Sequence, residues 1–158
     1  MNKTYRILSW TIVALVVVQA VTVAWGSAGE SRFIDDGGVI DKALIEAAEA
    51  GGELPFPEVV AFPVHGLNGG ILLPVVALVL LGCSFAAHLV GARSHAAALF
   101  GLVVLQGQAG HLMGGVPAVG ILHGANALLI LLIAVRAARR PVLEPSDQAV
   151  PADQAVRA

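Results

Sequence analysis

Apolar residues run without an Asp, Glu, Lys or Arg from Ile7 to Gly26, from Val59 to Ala92 and from Ser94 to Val135, stretches of 20, 34 and 42 residues. A helix crosses the hydrocarbon core of a bilayer in about 20 apolar residues. The first run therefore predicts one span, the second one span with apolar flanks, and the third two spans. Gly114-Gly115-Val116-Pro117 supplies the reversal inside the third run, because Gly and Pro interrupt helices. The predicted spans are 7–26, 64–87, 95–113 and 118–137, forming a membrane domain over 1–140. Between the first two lies a predicted outer loop, 27–63. Within it the segment DKALIEAAEA from Asp41 is rich in helix formers and stops at Gly51-Gly52, which predicts a short helix with Ile40, Leu44 and Ile45 on its apolar face. The Pro- and Ala-rich tail, 141–158, predicts disorder.

Composition sharpens this picture. Of 158 residues 57% are hydrophobic and 13% charged, against about 25% charged in soluble domains; mean hydropathy is +0.82. A disordered chain and an ordinary soluble enzyme are both excluded. The formal net charge of −2 leaves no basic surface for nucleic acid. The single cysteine, Cys83, permits neither a disulfide framework nor a thiolate metal cluster within one chain.

Charge also orients the spans. Lys3, Arg6, Arg93, Arg136, Arg139 and Arg140 fall on one side of four spans, while the segment 27–58 carries eight acids and two bases. By the positive-inside rule both termini are cytoplasmic and the acidic loop is outside. The expected location is the cell membrane, with the lipid bilayer as the one assured partner. The first run is longer than the roughly 7–15 residues of a signal-peptide core, so it is expected to remain as a span.

The chain reads as a duplicated hairpin. The second span opens His65-Gly66-Leu67-Asn68 and the fourth His123-Gly124-Ala125-Asn126. The first and third align as Val16-Val17-Val18-Gln19 and Val103-Val104-Leu105-Gln106. The expected fold is all-α: an up-down four-helix membrane bundle of two similar hairpins, with a short helix in the outer loop. In an up-down order the second and fourth spans are diagonal. His65 and His123 then face each other at one depth, with about 11–14 Å between helix axes, given packing distances of about 8–10 Å between neighbours.

Polar groups inside a bilayer are costly and face the bundle interior. The candidate site is therefore His65, His123, Asn68, Asn126, Gln19 and Gln106, with Gly66 and Gly124 as small neighbours. Two imidazoles on opposite sides of a gap are the axial ligands of a b-type haem. Each Asn, three residues past its His, shares its face and can orient it. Two other readings stand beside this one. The same residues can hydrogen-bond among themselves in a structural or accessory protein, or the glycine-lined gap can hold a lipid or quinone-like ligand. His88 and His95 bracket Arg93 at the cytoplasmic ends of their spans; His88 is about 34 Å along its helix from His65, so a second haem is not expected. His111 is read as an interfacial residue. No nucleophile elbow, HExxH or phosphate loop marks an enzyme.

On the two HGxN openings, the paired glutamines and the duplicated hairpins, the chain resembles small four-span bacterial membrane proteins grouped under a domain of unknown function, over about residues 5–140. More distantly it is similar to paired-His four-helix haem units: half of a haem A synthase, and the membrane cytochromes b. That likeness implies b-type haem at His65 and His123. The sequence lacks the two stacked His pairs of cytochrome b561 and the acidic residue beside the ligand His of haem A synthases.

Overall fold

A computed structural model describes residues 1–143, the side chain of Glu49 excepted. It contains α1 (Asn2–Asp35), α2 (Lys42–Glu49), α3 (Ala61–Leu67), α4 (Leu73–Ser84), α5 (Ala92–Met113) and α6 (Val119–Ala138). α3 and α4 belong to one continuous span, Pro57–Ser84, and this span, α1, α5 and α6 are each long and apolar enough to cross a membrane. At most 22% of the apolar window of each span is buried within the protein. The outward faces, including Val21, Ile71, Leu105, Leu128 and Leu132, are bare hydrocarbon. A water-soluble monomer does not carry that much apolar surface; the chain is an integral membrane protein.

The spans pack in a ring: α1 against the second span, the second span against α5, α5 against α6, and α6 against α1. No close backbone approach links α4 to α6 or α1 to α5, which are the diagonals. Hydrogen bonds fix the directions. The Asn2 side chain accepts from the His88 N–H at 2.7 Å, Tyr5 Oη donates to the Ala92 carbonyl at 3.0 Å, and Arg6 Nη2 donates to the Arg140 carbonyl at 2.9 Å. The start of α1, the end of α4, the start of α5 and the end of α6 thus share one end, which is the basic end. The order is up, down, up, down. Small buried side chains, Ala77, Ala96, Ala134 and Ala137, bring the helices together around Ile12, Leu80, Leu99 and Ile130, the usual device where lipid removes the hydrophobic drive to associate.

Three boundaries depart from expectation. α1 does not stop at Gly26; it continues through Asp35, 34 residues in all, or about 51 Å at 1.5 Å per residue. Ala28, Glu30 and Arg32 are helix formers, and Gly26 and Gly29 let α1 sit against Phe62 and Glu58 of the second span. The extension stops at Gly37, whose φ of +92° turns the chain, so the loop is shorter than 27–63. The second span starts as a 3-10 turn at Pro57–Val60 and contains a π turn at Asn68–Leu72. Pro74 has no N–H to bond the Gly70 carbonyl and its ring collides with that carbonyl in a regular helix. The wider turn, closed by the Leu73 N–H on the Asn68 carbonyl, accommodates it. Third, Pro141 and Leu143 are paired: Val90 N–H donates to Pro141 O and Leu143 N–H to His88 O, both at 3.1 Å. The start of the expected disordered tail is therefore bound to the basic end; the rest, from residue 144, lies outside the described residues.

Candidate functional site

His65 and His123 meet in the bundle interior at the end opposite the basic one. Their ring centroids are 6.4 Å apart and their planes tilted by 45°. His65 comes from α3, just before the π turn, and His123 from the first turns of α6. Both are half-buried. The equal depth expected from the repeat is realised, and the gap is narrower than the axis spacing alone suggests because both side chains reach inward.

The hydrogen bonds define the chemistry of each ring. His65 Nδ1 lies 3.2 Å from the Gln19 carbonyl. A carbonyl only accepts, so Nδ1 carries the proton and the neutral ring keeps a free lone pair on Nε2. This is how a histidine is held as a metal ligand. His123 Nδ1 is buried with no hydrogen-bond partner, and its ring rests on Gly110 of α5, where an added Cβ would meet Cε1 at 3.4 Å.

The asparagine amides tie each histidine-bearing span to the span before it. Asn68 Nδ2 donates to the Leu15 carbonyl at 2.9 Å, and Asn126 Nδ2 donates to the Leu102 carbonyl at 2.9 Å and to Gln106 Oε1 at 2.7 Å. Each Asn thus reaches the carbonyl four residues before the glutamine of the preceding span. Gln19 lies over Gly69, leaving no room for a Cβ there. Gln19 Oε1 and Asn68 Oδ1 are buried without partners. A buried polar atom left without a partner costs about 1–3 kcal/mol.

Of the eight expected residues, His65 and His123 face each other, Gln19 meets the His65 ring through its backbone carbonyl and Gln106 meets Asn126. Gly66 and Gly124 are exposed, with open space where a side chain would stand. Each follows its His by one residue and so points about 100° away around the helix. The glycines that do border the cluster are Gly69 and Gly110. Gly110 lies four residues past Gln106 on α5, and that spacing could have identified it. His111 is exposed near the end of α5, while His88 and His95 are at the basic end, the latter with Nδ1 2.8 Å from the Gly91 carbonyl. Among the described residues no group of three or more His, Cys, Asp or Glu is placed to hold a metal ion.

Two ring nitrogens each about 2.0 Å from a shared metal would put the ring centroids roughly 6 Å apart, and the pair stands at 6.4 Å. No protein-family model, curated protein or solved structure matches the chain.

Proposed function

We propose that this membrane protein binds one b-type haem, which His65 and His123 would hold. The observation that carries the reading is the facing pair itself: two imidazoles from diagonal helices, 6.4 Å apart, one with its Nδ1 proton on a backbone carbonyl. A bare metal ion needs about four protein ligands, and two histidines are too few. A haem brings its own equatorial nitrogens and asks the protein only for axial ones. Bound there, it would supply one-electron redox chemistry. The chain's own residues hold and orient. The Gln19 carbonyl fixes the His65 ring, Gly110 gives the His123 ring its seat, and Asn68 and Asn126 tie each ligand helix to the span before it. Titrating haem b into the purified protein should give a low-spin Soret band that saturates at one haem per chain; a free-haem spectrum throughout would refute the reading.

The two halves read as a duplication. The Asn68 bond to Leu15 and the Asn126 bond to Leu102 repeat one contact at equivalent places, which supports a duplicated hairpin. The two hairpins then differ in their connections: a long acidic loop with α2 in the first, a tight turn in the second.

The basic end is assigned to the cytoplasm and the haem pair to the outer half of the cell membrane, following the charge asymmetry. Reporters fused after residue 58 and after Arg93 should lie on opposite sides. Two cytoplasmic signals would overturn the orientation.

A further inference from the structure

A second site lies beyond the histidine pair, between α2 and the second span. α2 is held as a helix by Asp41, whose Oδ1 accepts the Leu44 N–H at 2.9 Å, and it turns Leu44, Ile45 and Ala48 to one side. Yet, among the described residues, no close backbone contact joins α2 to any other helix. Its apolar face meets a cavity of about 600 Å³. The facing wall includes Phe62 and Pro63 of α3, and Glu30 of α1 is the one charged residue in the lining. A volume of this size suits a small ligand. Phe62 and Val60 border the cavity and are also exposed.

We infer that this cavity binds a neutral, hydroxyl-bearing amphiphile drawn from the membrane, of the quinol type with an aliphatic or isoprenoid tail. The apolar walls take the tail and ring. The Glu30 carboxylate accepts a hydrogen bond from the hydroxyl, and a charged acceptor makes the stronger bond. An anionic head is disfavoured: the lining holds a carboxylate and no cation, and the segment 27–58 carries eight acids against two bases. Like charges in a partly desolvated site repel, so fatty acids and anionic phospholipids are rejected. The cavity is separate from the glycines around the histidines, and the inference does not depend on haem.

The test uses the full chain in neutral detergent, with a decyl-substituted benzoquinol as probe and oleate as the anionic comparison, both measured by equilibrium dialysis. The quinol should bind saturably and oleate weakly. Glu30→Gln should move the two ligands in opposite directions, weakening the quinol by about tenfold through loss of a charge-assisted hydrogen bond and strengthening oleate. Ala48→Trp, which takes up part of the cavity, should weaken quinol binding without changing the haem titration. Equal affinity for quinol and oleate in the unaltered protein, or no saturable quinol binding, would overturn the inference. So would Glu30→Gln shifting both ligands alike, and this near-isosteric substitution decides the matter even if the Ala48 variant fails to fold.

Discussion

Alanine at His65 or at His123 is expected to abolish the low-spin haem spectrum, while alanine at His88, His95 or His111 leaves it intact. The two groups differ in position. His65 and His123 face each other in the bundle interior; His88 and His95 sit at the basic end, and His111 is exposed near the end of α5. With haem held by these two histidines, loss of either would leave the iron one protein nitrogen short, and the low-spin bands would be lost. Asn68→Ala and Asn126→Ala act one step away, by releasing the bonds to Leu15 and Leu102. Neither Asn bonds a histidine ring, so these changes should weaken haem binding less than loss of either His and keep the low-spin signature once saturated. Absorption spectra across a haem titration separate the three outcomes.

The other large effect is expected in the helix packing. Ala134→Phe should lower resistance to unfolding by about 1–3 kcal/mol, the range for overpacked cores. Ala134 is fully buried on α6, and Leu132 on the same helix is 59% exposed. In a bilayer a larger apolar residue gains little by leaving lipid, so close backbone approach through small residues carries the association. A phenyl ring at 134 must push α6 from its neighbours. Leu132→Phe only changes the lipid-facing surface and should leave stability within about 0.5 kcal/mol. Denaturation in mixed micelles of increasing SDS content measures both.

The spans were legible because charge is so costly in hydrocarbon that its absence alone marks a crossing. α5 and α6 begin and end within three residues of the expected 95–113 and 118–137. The same rule misplaced the end of α1. Absence of charge delimits the membrane, whereas helix propensity and the glycine contacts of Gly26 and Gly29 delimit the helix. The π turn was announced by Pro74 following Gly69 and Gly70 inside an apolar run, a local conflict that periodicity does not register. His65, His123 and the four amides could be found because polar side chains in a span have few places to go. Gly66 and Gly124 were misassigned because sequence adjacency is not adjacency on a helix face. The pairing of Pro141 and Leu143 with the turn after α4 was not legible, since it joins backbone atoms about 50 residues apart and leaves no side-chain pattern.

The most direct test of the haem assignment is low-temperature electron paramagnetic resonance of the ferric protein saturated with haem b. Two imidazoles on one iron give a rhombic or highly anisotropic low-spin signal, and that signal is expected at one spin per chain. It should be absent in His65→Ala and in His123→Ala. An axial high-spin signal in the unaltered protein, or a low-spin signal that persists in either variant, would contradict the assignment of these two histidines.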